Sequence, residues 1–259
     1  MREILEAVRN IAVSDLGVLI VGESGTEKEV IARRIHEFSA RSNREFVHLN
    51  CCSFADDLSG KRLFGSDDLT LTGIEVERGI IELASGGTIY FDKISELSPS
   101  TQTLICRAVE DRQFQRVGGF EPIDLNIRVI ASVDRRSGDK ILTEGSGHAP
   151  YYHMSTMHIN LPPLRERRED IPVLMEQFML DAKYLKARRP TGITTEALDL
   201  FLSYDWPGNT EELYQAMEHA LVKCSDQFIR KSHLPEYLQK DDRKKTESRE
   251  NEPTFTWDI

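Results

Sequence analysis

An apolar run, Val18-Leu19-Ile20-Val21, passes directly into Gly22-Glu23-Ser24-Gly25-Thr26-Glu27-Lys28-Glu29 and then into a helix-like stretch, Val30 to Phe38. Strand, glycine-rich turn and helix, in that order, are the setting in which backbone N–H groups cradle phosphate and a lysine reaches the β- and γ-phosphates. Lys28 stands at the lysine position. The residue before it, where such a loop has its second glycine, is Glu27. A carboxylate ~5 Å from a phosphate charge is repelled by roughly 3 kcal/mol at an effective dielectric of ~20. That is about two orders of magnitude in affinity. The backbone pattern of a nucleotide loop is therefore present with an acid set into it.

Around this loop, strand and helix signals alternate over the first 165 or so residues. Phe46–Leu49, Thr88–Phe91, Ile127–Ser132 and His158–Leu161 read as further short apolar strands. Ile31, Ile35 and Phe38 repeat on one helical face, as do Leu104, Ile105, Ala108 and Val109 after Ser98-Pro99, a serine cap with proline in the first turn. Apolar strands separated by helices imply an α/β fold, a mostly parallel sheet covered on both faces. After Leu161-Pro162-Pro163 the strand signals stop. Helical stripes follow: one from Ile171 to Leu185, one near Thr195–Ser203 and one from about Glu211 to Cys224. The expected organisation is an α/β core over 1–166, a small helical domain over 167–238 and a disordered tail over 239–259. In that tail Phe255, Trp257 and Ile259 are the only core-forming material.

Composition narrows the class. The chain has 259 residues, 39% of them hydrophobic, enough for a sizeable core. It holds no apolar run long enough for a membrane span, and its first residues lack the apolar centre of a signal peptide. Cys51, Cys52, Cys106 and Cys224 have no metal-ligand spacing and fit reduced thiols of a cytoplasmic protein. A net charge of −10 argues against general nucleic-acid binding. Lys223, Arg230, Lys231 and His233 form a mild basic cluster, read as a solvated face.

Several collinear blocks carry a resemblance: Gly22-Glu23-Ser24-Gly25-Thr26, Asn50-Cys51, Leu63-Phe64-Gly65, Gly86-Gly87-Thr88-Ile89-Tyr90-Phe91-Asp92, Arg116-Val117-Gly118-Gly119, Leu161-Pro162-Pro163-Leu164-Arg165-Glu166-Arg167 and Trp206-Pro207-Gly208-Asn209. Over about residues 1–238 the chain resembles the AAA+ domain of bacterial enhancer-binding proteins, the activators of sigma-54 RNA polymerase. The resemblance implies a P-loop NTPase fold with a C-terminal helical lid, ring assembly, and ATP with Mg²⁺ as cofactor. On that alignment Gly22 to Glu29 form the nucleotide loop, Lys28 serves the phosphates, and Asp92 is the Walker B carboxylate and Mg²⁺ ligand. Glu29 is no departure from the family.

Other positions depart from it. Lys93 stands where the family has the glutamate that polarises the attacking water, and Asn50 is retained without that partner. Asp134 replaces the sensor I asparagine. Gly147 and His153 fall where the arginine fingers would be, and Glu211 where the sensor II arginine would be. The polymerase-contacting GAFTGA segment is replaced by Leu69-Thr70-Leu71-Thr72-Gly73-Ile74. The family's receiver and helix-turn-helix regions have no counterpart in the sequence, so direct DNA binding is not expected.

Each change alone could be drift. Their coincidence favours a pseudo-ATPase with weak or absent ATP binding, acting in transcription regulation through protein partners: an active homologous activator or the RNA polymerase machinery. Oligomerisation stays open. The alternatives are a divergent, slowly hydrolysing ATPase and a non-functional activator fragment. Because Glu27 and Lys93 would face one pocket, they are expected to form an ion pair, and Lys28 to pair with Asp92. Arg165, Arg167 and Arg168 are expected to brace the junction between domains. Leu63-Phe64-Gly65 is expected to serve helix packing rather than a second ligand.

Overall fold

The computed structural model describes residues 2–54, 56–70, 73–134, 150–152, 154–181, 190–239 and 253–257. The chain divides into two units: 1–23 with 27–161, and 24–26 with 162–259.

The first unit is built on five parallel strands: β1 (Val18–Val21), β2 (Phe46–Asn50), β5 (Thr88–Asp92), β8 (Arg128–Val133) and β9 (Met157–Asn160). Their order is β2-β5-β8-β1-β9. All four residues of β1 are buried, because both faces of the sheet are covered. Alternation sends Leu19 and Val21 to one face, with Leu49, Phe91 and Val133. Val18 and Ile20 go to the other, with Ile31 and Ile35 of helix α2 (Lys28–Glu37) and Val8 and Ile11 of α1 (Arg2–Ala12). Helix α5 (Pro99–Asp111) begins as its sequence implies, with the Ser98 side chain accepting from the Thr101 N–H and proline in the first turn.

Buried Arg128 closes α1. Its guanidinium donates to the carbonyls of Ile11 and Ala12 at the helix end, the Ile11 carbonyl also accepting from the Ser14 N–H at 3.1 Å.

An antiparallel hairpin, β3 (Gly65–Thr70) and β4 (Gly73–Arg78), follows α3 (Asp56–Phe64). A short pair, β6 (Gln113–Phe114) and β7 (Ile123–Asp124), follows α5. Leu63 and Phe64 are buried in the core, as the helix-packing reading requires.

The second unit holds helices α6 (Ile171–Asp181), α7 (Thr195–Ser203) and α8 (Asn209–Lys223) around Met175, Phe201, Trp206, Leu213 and Met217. It also holds strands, which corrects the expectation that they end at Leu161. β10 (Gly192–Thr194) pairs in parallel with β11 (Phe228–Ile229) and antiparallel with β12 (Pro253–Thr256). Runs of two to four residues are too short to show a period of two. β12 also corrects the expected tail: residues 253–256 are a strand and Trp257 is buried. Residues 240–252, within that expected tail, lie outside the described residues.

Arg168 donates to Asp205 Oδ1 and to the Leu202 carbonyl, both within the second unit. In the basic cluster, Arg230 pairs with Asp226 and Lys231 with Glu196, which suits a solvated face.

Candidate functional site

The loop leaving β1 turns through two left-handed residues, Gly25 and Glu27. Gly22 donates its N–H to the Val133 carbonyl at 3.3 Å, and Gly25 has φ 76°. Glu27, directly before α2, sits at φ 64° and ψ 36°. Glycine adopts that left-handed conformation freely, whereas a side chain there costs about 1 kcal/mol. The backbone thus keeps the glycine's shape while the residue supplies a carboxylate.

Lys28 is 6% exposed, and its ammonium is fully engaged. Nζ donates to the Gly22 carbonyl at 2.8 Å, the Glu23 carbonyl at 2.9 Å and Asp134 Oδ1 at 2.9 Å. An ammonium has three donors, so all are used. The expected pairing of Lys28 with Asp92 is not made. Strand order explains why: Asp134 directly follows β8, the neighbour of β1, whereas Asp92 ends β5, one strand further away. Two strand spacings are about 10 Å, beyond an ion pair.

Asp92 is held from its own side of the sheet. Its Oδ1 accepts from Tyr90 Oη at 3.0 Å and from Ser132 Oγ at 2.7 Å. Ser132 Oγ in turn accepts the Lys93 N–H at 2.9 Å. Burial, then the Asp92 charge, pushes the Tyr90 phenol up, so it remains a donor.

Lys93 is half-buried with φ 56° and makes no ion pair among the described residues. The expected Glu27–Lys93 pair is therefore not formed. The same strand separation accounts for it, since Lys93 directly follows β5.

The remaining residues read from the sequence take other roles. Glu29 meets Arg33 one turn on at 3.0 Å and His48 at 3.3 Å. Asn50 lies opposite Asp92 in the register of β2 and β5, and its Oδ1 accepts the Cys52 N–H. Glu211 is exposed in the first turn of α8. Gly147, His153, Leu71 and Thr72 lie outside the described residues. No group of three or more His, Cys, Asp or Glu residues among the described residues could hold a metal by itself.

Sequence reasoning missed Asn209. Ser24, Gly25 and Thr26 group with the second unit. There Asn209 Nδ2 donates to the Ser24 carbonyl at 2.8 Å, and Thr210 donates its N–H to the Gly25 carbonyl at 3.1 Å. Asn209 is fully buried with φ 53°, and its Oδ1 accepts the Leu164 N–H at 2.8 Å. The Gly208-Asn209 pair ahead of a helix was the available signal, since asparagine tolerates this conformation better than most residues.

Residues 1–160 match the sigma-54 interaction domain, and residues 165–251 match the AAA+ ATPase lid domain. The chain belongs to the sigma-54 interaction domain family. Among the relatives of this sigma-54 interaction domain, the transcriptional regulatory protein ZraR of Salmonella typhimurium is 38% identical over 236 residues, covering 91% of this chain and 54% of that protein. The nitrogen fixation protein AnfA of Azotobacter vinelandii is 35% identical, covering 92% of this chain and 45% of that protein. The chain thus spans about half the length of the relatives it matches. NtrX from Brucella abortus, solved in complex with ATP, superposes with a TM-score of 0.80 at 28% identity, covering 92% of this chain and 55% of NtrX. Hsp104, at 15% identity and a TM-score of 0.61 over 80% of this chain and 40% of that one, shares the fold. The AAA+ fold with a mostly parallel sheet is thus established for this sigma-54 interaction domain.

Proposed function

We propose that the chain is a regulatory AAA+ module of the sigma-54 activator class in which ATP turnover has been lost and protein contacts carry the function. One observation supports this above the others: the Lys28 ammonium is saturated by two loop carbonyls and Asp134, an acid on the neighbouring strand. A triphosphate must displace that carboxylate and also meet Glu27. The backbone cradle suits a phosphate in shape. Its charges do not suit Mg-ATP, and no hydrolytic step is assigned to it. Lys93, where the family carries its water-polarising glutamate, is a cation and cannot act as that base.

Calorimetric titration with ATP and ADP, with and without Mg²⁺, paired with a turnover assay, tests the reading. Weak or absent binding and no turnover are expected. Turnover that disappears in Lys28→Ala would overturn it. The proposed partners are ring-forming homologues or the sigma-54 RNA polymerase machinery. Titrating the chain into an active homologue should lower that homologue's ATPase rate, and an unchanged rate across the titration counts against such mixing.

A second reading, a divergent slow ATPase, is favoured by the orientation of Asp92 through Tyr90 and Ser132. The ATP complex of NtrX points the same way. Glu27→Gly with Lys93→Glu separates the two: a slow enzyme turns over before the change, a dead one does not.

A further inference from the structure

At the amino-terminal edge of the central sheet, opposite the phosphate loop, lies a cleft of about 590 Å³. Its walls come from residues just before β1 and β8, from the end of α5 (Val109 with the capping Arg112) and from Arg41. In a parallel sheet the two edges are separated by the strands themselves, here about 15 Å at roughly 3.3 Å per residue. The cleft is therefore a separate place from the nucleotide loop.

Its charge is unusual for a chain of net charge −10. Arg41 and Asp15 neutralise each other: Nε donates to Asp15 Oδ1 at 2.8 Å and Nη2 to Oδ2 at 2.6 Å. The other donors of Arg41 go to the Gly87 carbonyl and to the carbonyl and side-chain oxygen of Asn126. That guanidinium is saturated and builds the wall. Arg112 differs. It caps α5 at φ 53°, is exposed, and its guanidinium has no hydrogen bond or ion pair to other described residues. Buried Arg128 adds a further positive charge that acts on Asp15.

Because Asn126 Oδ1 accepts from Arg41, the asparagine amide is oriented, and its NH₂ has no partner among the described residues. The donors left for a guest stand on Arg112 and Asn126, while the exposed Asp15 carboxylate is neutralised by Arg41 but keeps unused lone pairs. Beside them stand Leu16, Val109, Leu125 and Ile127. These donors, and two arginines (Arg41 and Arg112) against one aspartate (Asp15) in the lining, next to an apolar wall select an anion with an apolar body.

We propose that this cleft binds a small amphiphilic organic anion, its carboxylate or phosphate head on Arg112 and Asn126 and its apolar body against Leu16, Val109, Leu125 and Ile127. The proposal does not rest on the reading of the nucleotide loop.

The test uses the full chain, with phenyl phosphate, benzoate and inorganic phosphate as probes in calorimetry. Phenyl phosphate or benzoate should bind saturably at one site. Arg112→Asn, which keeps the left-handed cap, should weaken that binding about tenfold or more. Lys28→Ala should leave it unchanged. Inorganic phosphate, lacking the apolar body, should bind more weakly than phenyl phosphate. Any of four results overturns the site: no saturable binding of either aromatic probe, equal binding by Arg112→Asn, loss in Lys28→Ala, or inorganic phosphate binding as tightly as phenyl phosphate.

Discussion

Glu27 and Lys28 are neighbours under different physical constraints in this loop. Lys28 directs its ammonium to Asp134, while Glu27 holds a left-handed backbone angle that suits glycine. Relieving the left-handed conformation should be measurable separately from nucleotide binding. Glu27→Gly is expected to raise unfolding free energy by about 1 kcal/mol in urea titrations without ligand. No gain would mean that the glutamate side chain is otherwise stabilised.

Asp15 supplies a pH-dependent counterpart. Hydrogen bonds from Arg41 hold its carboxyl below the usual carboxylate range, outweighing burial. A depressed folded-state pKa gives stability that is complete above the unfolded value and is lost as pH falls through the folded one. Wild type should therefore exceed Asp15→Asn in urea midpoint at pH 6, and the difference should shrink progressively below about pH 4.

Among the elements, the β3–β4 hairpin is tied at its base by backbone hydrogen bonds between Val117 and both Gly65 and Asp67, and by the side chain of Arg116. Arg116, in the β6–β7 connection, donates to both carboxylate oxygens of Glu82 at 2.9–3.0 Å and to Asp67 Oδ1 at 3.2 Å. Asp67 lies on β3 and Glu82 on the helical turn α4 (Ile80–Leu83), so three elements meet at one guanidinium. All three side chains are less than one-fifth exposed. Removing the cation leaves Asp67 without the ion pair it makes here, and leaves Glu82 with only the exposed Arg78, 3.2 Å away, in a partly dry place. Arg116→Ala should cost about 2 kcal/mol. Arg116→Lys should recover less than half of that, because an ammonium cannot serve two carboxylates bidentately. Full rescue by lysine, read from denaturation midpoints, would refute the geometric part of this argument.

For the whole molecule, each unit has its own apolar cluster and so its own stability. Trp206 anchors the second: it is fully buried, stacks on Phe201 with ring centroids 5.5 Å apart, and donates Nε1–H to the Phe201 carbonyl at 2.8 Å. Trp206→Ala should remove about 3–5 kcal/mol from that unit. Hydrogen exchange should then show α7 and α8 losing protection while β1, β5 and β8 keep theirs. Equal loss across both units would mean that they unfold as one.

The sequence alone determined the five central strands, helices α2 and α5, the three long helices of the second unit and the family, because those features are written locally. A continuous apolar run marks a strand covered on both faces, a serine followed by proline marks a helix start, and glycine spacing marks the loop. It did not determine which acid reaches Lys28 or whether Glu27 meets Lys93. Those outcomes depend on the lateral order of strands distant in the chain: β8 lies between β1 and β5, so Asp134 is within hydrogen-bonding reach of Lys28 whereas Asp92 and Lys93 stand a strand further off. Strand order also assembled the amino-edge cleft from four separate segments of the chain. Residue type specifies what a group can do, but tertiary packing decides which partner lies within reach.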